Sequence, residues 1–523
     1  MQGHVLIGCA LALIGSLCIV AKPTVCIRPN LLIAVADDWS FGHAGAYDCT
    51  WVKTPAFDRI ASSGILFTRA YTPNAKCSPS RAAMLTGRYP WQLGAAANHN
   101  CIFPPAFRTY PETLEMKGYF VGMTAKGWSP GIALDASANP RNMAGKPFDR
   151  QTLKPPTRNI LPNDYAANFA DFLLAAPPGQ PWCFWFGAAE PHRDYEAGTG
   201  ISKGGKKLTD IDRVPGCWPD HETVRSDMLD YAYEVEHFDT HLGRMLDQLA
   251  AKGLLENTLI IVTSDNGMPF PRSKGQTYEN SNHIPLAASW PNGIIHPGRK
   301  ESSYVSLVDL APTLFELAGF NPAQSGMAPI SGVSLMEIFR DQPTTHPRDQ
   351  IILGRERNDV GRPRDQGYPV RGIIREQMLY LHNFEPDRWP TCNPETGYMD
   401  CDSSPTKTEV LRTRNTCDHS FWQTCFAKRG AEELYDIDKD PDCLNNLASL
   451  PESAQPMLAL KQRLFQSLSD QGDPRMNARG DEFDNFPYSR APLRNYYERY
   501  MQGHRPPAEW VRPSDYEPEA ILK

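Results

Sequence analysis

The sequence predicts an α/β fold: a large, mixed and mostly parallel sheet flanked by helices, followed by a smaller α+β domain with an antiparallel sheet. Two observations predict it. Up to about residue 345, short apolar runs that resemble strands covered on both faces alternate with helical stretches. From about residue 366 the pattern changes to the alternation of an antiparallel hairpin. We therefore place a large domain at residues 24–365 and a smaller one at residues 366–523.

The N-terminal segment has the character of a secretory signal. Residues 5–20 are apolar except for Ser16, and Ala21 precedes Lys22. This run is short for a membrane span and matches the apolar core of a signal peptide. The four residues before it lack Lys and Arg, so an uncleaved anchor is the alternative. A signal peptide at residues 1–21 predicts a secreted or periplasmic protein with no stable membrane span after cleavage.

The composition excludes several classes of protein. With 53 Lys and Arg against 60 Asp and Glu, the formal charge of the 523-residue chain is −7, which argues against a nucleic-acid partner held by bulk charge. The 41% hydrophobic and 22% charged fractions are unlike those of disordered, collagenous or multi-span membrane proteins. Cleavage after residue 21 would remove Cys9 and Cys18 from the 13 cysteines and leave 11. In an oxidising compartment an odd number leaves at least one thiol without an intrachain partner.

Polar residues directly follow each of three predicted strands. In open α/β sheets ligands collect outside the carboxyl ends of the strands, so these residues are expected to face one crevice. A single Asp-Asp or Asp-Asn pair is typical of a turn, whereas repetition at strand ends favours a site for Ca²⁺ or Mg²⁺ built from oxygen ligands. A long helix at about 227–252 precedes the third strand. The strands and the polar residues after them are Asn30–Ala36 with Asp37 and Asp38, Pro181–Ala188 with Glu190 and His192, and Thr258–Ser264 with Asp265 and Asn266.

The segment from Cys77 to Arg88 is predicted to be a helix with a polar first turn. Pro79 fits the helix start, and Gly87 is a C-terminal stop. Cys77 therefore lies at a helix N-terminus, where free N–H groups favour an anion. Arg81 follows one turn later on the same face and can hold an oxyanion through several donors. The residues alone leave two interpretations of Cys77 open, a reactive group or a structural half-cystine.

The C-terminal domain is predicted to be stapled by disulfide bonds. The segments at 367–374 and 377–384 alternate like the two strands of an antiparallel hairpin. Four cysteines follow within a stretch rich in Pro, Asp and Thr, as in small disulfide-stabilised domains. They are Cys392, Cys401, Cys417 and Cys425.

The motif Cys-Ser-Pro-Ser-Arg at residues 77–81, with Leu-Thr-Gly-Arg at 85–88, resembles the signature of the formylglycine-dependent (type I) sulfatases of the alkaline phosphatase superfamily. Further motifs in the family order extend the resemblance over most of the chain. They are residues 36–38, 263–267, 304–313 and 433–436. Within the family, the chain looks most like the heparan N-sulfatase (sulfamidase) branch, at residues 41–42, 190–193 and 264–271.

The resemblance implies an alkaline-phosphatase-like fold and an enzyme that hydrolyses sulfate ester or N-sulfo groups of sulfated carbohydrates. Residues 24–365 would form the catalytic domain, and residues 366–523 would complete the substrate pocket. In the family a separate formylglycine-generating enzyme oxidises the signature cysteine, here Cys77, to formylglycine, whose hydrate is the nucleophile. One Ca²⁺ is bound beside it. The positions that match the family's calcium ligands are Asp37, Asp38, Cys77, Asp265 and Asn266.

The resemblance also assigns catalytic roles to basic residues. Arg81 matches the residue that holds the hydrate, and Lys126 and Lys274 match cations that bind the sulfate oxygens. His192 matches a histidine that contacts sulfate and protonates the leaving group. One departure concerns the residue two after Lys126, where the family has histidine and this chain has Trp128. Trp128 either stacks on a sugar or packs in the interior.

Two alternative functions follow from the same motifs. One is a phosphonate or phosphate ester hydrolase of the superfamily; such relatives usually have histidine where this chain has Asn266. The other is a non-catalytic glycan-binding relative, in which Cys77 stays a thiol or a half-cystine. If Cys77 is converted, ten cysteines remain, an even set for intrachain bridges, although Cys183 in a buried strand can stay free. The sequence does not specify the glycan, and it leaves an oligomer possible.

Overall fold

The computed structural model describes residues 28–517. The predicted signal peptide at residues 1–21 lies outside the described residues. The predicted fold class is confirmed: a large mixed sheet with helices on both faces and a separate C-terminal antiparallel sheet. Across residues 28–517, every helix is too short or too polar to cross a membrane.

The described chain contains sixteen strands, which form two larger sheets and two strand pairs. Two of the three predicted strands have the predicted bounds, and the third, predicted at 181–188, is shorter by one residue at each end. In chain order the strands are β1 (Asn30–Ala36), β2 (Ile65–Phe67), β3 (Ala70–Tyr71), β4 (Cys101–Phe103), β5 (Phe120–Ala125), β6 (Gly131–Ala133), β7 (Lys146–Pro147), β8 (Trp182–Gly187), β9 (Thr258–Ser264), β10 (Leu286–Ser289), β11 (Arg299–Glu301), β12 (Val305–Ser306), β13 (Gln350–Arg355), β14 (Val370–Arg375), β15 (Met378–Asn383) and β16 (Glu432–Asp436).

The α-helices of the described residues range from single turns to the 30-residue α6. Helix α6 begins five residues before its predicted start, because the His221 ring accepts a hydrogen bond from the Thr223 N–H (3.2 Å) and caps it. The helices are α1 (Pro55–Ser62), α2 (Cys77–Thr86), α3 (Tyr110–Met116), α4 (Tyr165–Ala175), α5 (Thr199–Ser202), α6 (Glu222–Ala251), α7 (Glu279–Asn282), α8 (Leu310–Leu317), α9 (Met336–Phe339), α10 (Pro405–Arg412), α11 (Ser420–Phe426), α12 (Ala454–Asp470), α13 (Glu482–Asn485) and α14 (Tyr496–Met501).

The main sheet has the strand order β11-β2-β10-β9-β1-β8-β5-β7. All neighbouring strands are parallel except β10, which is antiparallel to both β2 and β9. The central strand β1 alternates between two hydrophobic cores: Leu32 and Ala34 face α1, α4 and α6, whereas Leu31 and Ile33 face α2, α3 and α8. A strand covered on both faces is apolar at every position, which makes β1 a rigid support for the polar residues after it.

The second sheet has the order β13-β14-β15-β16 and is antiparallel throughout. Its first strand, β13, lies before the boundary predicted at residue 365, because a long loop at residues 356–369, rather than a tight turn, connects it to its partner β14. One face packs on α12, and the other packs on tyrosines of the large domain, among them Tyr71 and Tyr304. The small domain is therefore fixed against the large one by an apolar interface.

The prediction of a disulfide-stapled small domain is wrong. All ten cysteines among residues 28–517 are free. Cys392 and Cys425 are buried, and their thiols donate to Asp400 Oδ1 and to the Cys217 carbonyl, each at 3.3 Å. They act as small buried residues with a weak S–H donor rather than as half-cystines. Apolar packing and buried ion pairs hold the small domain together instead.

Candidate active site

The nine predicted site residues come together at the carboxyl ends of four adjacent strands. Strands β5, β8, β1 and β9 are parallel neighbours, so the segments that follow them meet at one edge of the sheet. Helix α2 supplies two further residues to the same edge. The site residues are Asp37 and Asp38 after β1, Lys126 after β5, His192 after β8, Asp265, Asn266 and Lys274 after β9, and Cys77 and Arg81 on α2.

Three buried carboxylates form the centre of the site. Asp37, Asp38 and Asp265 each present an oxygen, and these oxygens lie within 4.8 Å of one another. Asp38 has a φ of 77°, a left-handed conformation that aspartate tolerates better than most residues. Its N–H donates to Asp265 Oδ1 (3.1 Å), which fixes the turn after β1 to the turn after β9. Such a concentration of buried negative charge requires positive charge beside it.

Each carboxylate has a basic side chain of the protein beside it. Arg81 Nε donates to Asp265 Oδ2 (2.7 Å), Lys274 Nζ donates to Asp38 Oδ2 (2.7 Å), and Lys126 Nζ contacts Asp37 Oδ2. Burial alone would raise the pKa of Asp37, but Lys126 and other nearby cations hold it well below its ordinary value. Burial, followed by the charge of Asp37, raises the pKa of Asp265 to about 7.

The donor set around the carboxylates fits a hard divalent cation. Asn266 is completely buried, and its Nδ2 donates to Asp38 Oδ1 (2.7 Å). Its Oδ1 has no hydrogen-bond donor, which is rare for a buried amide oxygen. Three carboxylates and an amide oxygen are the ligand types that Ca²⁺ and Mg²⁺ prefer. The residues present could therefore hold such an ion.

Cys77 is the first residue of α2 and lies against this acidic centre. Its Sγ is 3.3 Å from Asp37 Oδ1 and 3.9 Å from Asp38 Oδ1. The structure contains no disulfide at Cys77, so the half-cystine interpretation does not hold. Burial and the neighbouring Asp37 raise the pKa of the Cys77 thiol well above its ordinary value.

A cavity of about 440 Å³ opens above the carboxylates. Of the predicted residues, Asp37, Lys126, His192 and Lys274 line it, and the other five lie buried beneath. The cavity wall also contains charged residues that were not among the predicted site residues; only Arg193 stands in one of the motifs, residues 190–193. They are Lys76, His99, Arg193 and Glu234 of the large domain, and Asp359, Asp402 and Arg490 from the region after β13.

Asp402 connects the small domain directly to the predicted site. Its Oδ2 accepts a hydrogen bond from Lys274 Nζ (2.9 Å), so Lys274 bridges Asp38 and Asp402. Burial would raise the pKa of Asp402, but Lys274 and other cations hold it well below its ordinary value. Asp402 follows Cys401 in a stretch without a regular pattern, so the sequence does not distinguish it from the other carboxylates there.

Trp128 packs beneath the site rather than lining the cavity. Its Nε1 donates to the Ser78 carbonyl (2.9 Å), and its ring meets Phe103 edge to face at a centroid distance of 5.3 Å. The hydrogen bond holds the first turn of α2, which carries Cys77. Of the two interpretations of Trp128, the structure therefore supports packing.

Comparison with known proteins gives a consistent result. The family model described as Sulfatase matches residues 29–320. The chain is 26% identical over 501 residues to human N-sulphoglucosamine sulphohydrolase, covering 89% of this chain and 94% of the relative. It is 25% identical over 479 residues to an ulvan-active sulfatase of Formosa agariphila, covering 85% and 76%. A solved structure in complex with its substrate D-glucosamine-2-N,6-O-disulfate has the same fold, with a TM-score of 0.59 at 19% identity over 85% of this chain and 98% of that one.

Proposed function

The chain belongs to the sulfatase family, and we propose that it hydrolyses sulfate ester or N-sulfo groups of sulfated carbohydrates in the cavity above Cys77. Enzymes of this family are hydrolases of sulfuric ester or sulfamate bonds. The observation that carries the proposal is the placement of Cys77 between a buried carboxylate cluster and a cavity lined by Lys126, His192 and Lys274. Relatives named for sulphoglucosamine and for ulvan favour a carbohydrate substrate.

We infer that Cys77 is converted to formylglycine and that residue 77, Asp37, Asp38, Asp265 and Asn266 hold one Ca²⁺. Together these groups supply an oxygen nucleophile for the sulfur atom and a Lewis acid for a sulfate oxygen. The acidic donor set and the donor-free Asn266 Oδ1 support the metal. The contact of Cys77 Sγ with Asp37 and Asp38 supports a residue 77 that shares the ion with these carboxylates. Maturation would need a formylglycine-generating enzyme, and the proposed location is secreted or periplasmic.

The basic residues then bind and orient the anionic substrate. Arg81 is completely buried; its Nη1 donates to the Lys126 carbonyl (2.7 Å), and its Nη2 has no acceptor and lies 4.0 Å from Asp37 Oδ1. That spare donor is available to an oxygen at residue 77. Lys126 and Lys274 reach the cavity wall and neutralise charge that develops on sulfate oxygens.

His192 is placed to supply the proton for the leaving oxygen or nitrogen. Its side chain is 37% exposed, with Nε2 3.9 Å from Asp38 Oδ2. The ring Nδ1–H donates to the Arg193 carbonyl (2.5 Å), so Nε2 is the atom that holds the transferable proton. Trp128 cannot share this role, because its N–H donates to the backbone of Ser78.

A desulfation screen over defined sulfated mono- and disaccharides tests the proposal, with Cys77→Ser as the control. We expect the wild-type enzyme, matured with its formylglycine-generating enzyme, to release sulfate and the variant to release none. Aryl sulfates and aryl phosphonates with the same leaving group form a second pair of substrates. Preferential phosphonate turnover would contradict the proposal.

Mass spectrometry of the tryptic peptide that contains residue 77 tests the modification separately. We expect an aldehyde in place of the thiol in active material from the native host. An intact cysteine in that active material would contradict the proposed nucleophile.

A further inference from the structure

Glu234 of helix α6 is a buried carboxyl group at the wall of the active-site cavity. Its residue exposure is only 2%, yet it lines the 440 Å³ cavity. No residue among 28–517 donates a hydrogen bond to it or forms an ion pair with it. The nearby cation Arg193 acts on Glu234 only through its charge and makes no hydrogen bond to it, because both Arg193 Nη atoms donate to Asp227 at 2.8 Å. Glu234 is thus unpartnered, more than nine-tenths buried and in contact with the cavity.

The neighbouring acids differ from Glu234, since the protein itself satisfies them. Glu190 accepts hydrogen bonds from the Leu161 N–H (2.9 Å) and the Tyr165 hydroxyl (2.7 Å). Asp230, one turn before Glu234, accepts from the backbone N–H groups of Gly198 (2.9 Å) and Gly200 (2.8 Å). Through these contacts Glu190 and Asp230 stabilise the loops around the cavity. Glu234 makes no such contact.

A carboxyl group in this position destabilises the folded protein unless something pairs with it. Burial, followed by the charge of Glu190, raises the pKa of Glu234 well above its ordinary value. The adjacent positions of α6, such as Tyr231 and Val235, pack into the hydrophobic core. An apolar side chain would therefore suit position 234 better than glutamate, if folding were the only requirement.

The chemistry of the cavity indicates which part of a substrate meets Glu234. Lys126, Lys274 and His192 mark the wall that attracts the sulfate group. Glu190 and Glu234 line another part of the wall, where carboxyl groups rather than ammonium groups face the cavity, so this part does not attract sulfate. A carboxyl group without a donor accepts hydrogen bonds from hydroxyl groups, and a sugar ring carries several.

We propose that Glu234 determines specificity by accepting hydrogen bonds from ring hydroxyl groups of the sugar that carries the sulfate. This inference rests on the proposed function and adds the recognition of the sugar ring to it. A site built to bond a substrate hydroxyl discriminates strongly against substrates that lack it. The inference therefore concerns the choice between sugar sulfates and other sulfates, not the chemistry at sulfur.

The test compares Glu234→Leu with the wild type on two substrates: the sulfated monosaccharide that the wild type desulfates best, and p-nitrophenyl sulfate, which has no hydroxyl groups. Because Glu234→Leu leaves a buried hydroxyl group of the sugar without a hydrogen-bond partner, we expect kcat/KM on the sugar to fall about 10- to 100-fold. On the aryl sulfate we expect no comparable change. Monodeoxy analogues of the sugar should lose rate with the wild type, and at least one of them should lose none with the variant. An equal loss on both substrates, or no loss on the sugar, would overturn the inference.

Thermal unfolding separates this role from a structural one. Because Glu234→Leu removes an unpartnered buried carboxyl, we expect its melting temperature to equal or exceed that of the wild type. Asp230→Asn, one turn away on the same helix, is the matched control: it weakens the contacts to Gly198 and Gly200, so its melting temperature should fall while the ratio of the two kcat/KM values stays the same. A larger fall for Glu234→Leu than for the control would contradict the inference.

The two substrates also distinguish failure of this inference from failure of the proposed function. If the wild type hydrolyses neither substrate, the proposed function fails and this inference fails with it. If the wild type hydrolyses both and the variant keeps the preference for the sugar, the inference alone fails.

Discussion

Arg81 links three parts of the active site through a guanidinium that is completely buried. It donates to Asp265 Oδ2 and to the Lys126 carbonyl, each at 2.7 Å. Lysine keeps the charge but lacks the rigid planar fork of the guanidinium, so one ammonium cannot take the positions of both Nε and Nη1 in Arg81→Lys. We expect loss of activity and a fall of about 3–5 kcal/mol in the free energy of unfolding, measured in urea, because Asp265 loses a buried partner. The exposed Arg59→Lys is the control and should change little; an Arg81→Lys protein of wild-type stability would refute this account.

Asp265 also allows the proposed calcium site to be tested without an activity assay. An ion that binds only the folded state stabilises it by about 2.7 kcal/mol at one hundred times its Kd. We expect Ca²⁺ to raise the melting temperature of the wild type, a chelator to lower it, and Asp265→Asn to lose this response. The exposed Asp247→Asn should keep the response. A melting temperature that is independent of Ca²⁺ in the wild type would argue against the site.

At the scale of elements, the sequence predicts most accurately the strands that are buried on both faces. Strands β1 and β9 are covered on both faces, so each contains a continuous apolar run, at residues 31–36 and 259–262, and the predicted bounds match the observed ones. The start of α6 was missed, because histidine at position 221 is not a usual N-cap residue. Strand β13 was missed, because it becomes a sheet strand only by pairing with β14. A local sequence pattern predicts an element well when both of its faces are buried in the same way. It predicts an element poorly when the element forms only by pairing with a strand across a long loop.

The end of β8 provides a prediction at the same scale. A Cβ atom at Gly187 would lie 1.9 Å from the Lys126 carbonyl oxygen, which accepts hydrogen bonds from Arg81 and Trp185. We expect Gly187→Ala to push the Lys126 backbone away, lower the free energy of unfolding by about 1–3 kcal/mol and reduce kcat. In α6, Gly243→Ala meets only Ala56 Cβ at 3.5 Å and should be neutral or stabilising. Thermal unfolding and sulfate release measure both variants, and equal behaviour would contradict the proposed close packing.

At the scale of the whole molecule, the part of the site that the sequence predicts is the part built by the large domain. The predicted site residues follow apolar strands or lie in one short helix. The order of the motifs and the ends of the strands are therefore enough to place them in one site. Asp359 and Asp402 lie in loops without a periodic pattern, and they reach the cavity only because the small domain docks on the large one. Glu234 lies in a helix whose other face is core, so its sequence position gave no sign that it meets the cavity. Tertiary docking, which no local pattern encodes, completes the pocket.

The buried pair of Lys76 and Asp359 tests how strongly that docking depends on charge. Lys76 precedes the signature helix, and Asp359 lies between β13 and β14; their Nζ and Oδ2 are 3.3 Å apart, with side chains 2% and 3% exposed. Tyr488 donates a further hydrogen bond to Asp359 Oδ1 (2.8 Å). Because Asp359→Asn removes the carboxylate that contacts the buried Lys76 ammonium and leaves only the charge of Asp402 nearby, we expect it to cost about 3–5 kcal/mol at neutral pH in urea unfolding. Glu316→Gln, which breaks an exposed pair with Arg340, is the control and should cost little.

The pH dependence of the stability lost in Asp359→Asn shows whether the charge of Asp359 or only its packing stabilises the fold. Burial would raise the pKa of Asp359, but Lys76 and His99 lower it well below its ordinary value of 3.8. A carboxyl group whose pKa is lower in the folded state stabilises the fold at pH values above its unfolded pKa, and this stabilisation is lost as the pH falls towards the folded pKa. Since asparagine does not titrate, the stability difference between wild type and Asp359→Asn should be constant above about pH 5 and narrow below about pH 4. A difference that persists unchanged in acid would show that the shape of the Asp359 side chain, rather than its charge, holds the two domains together.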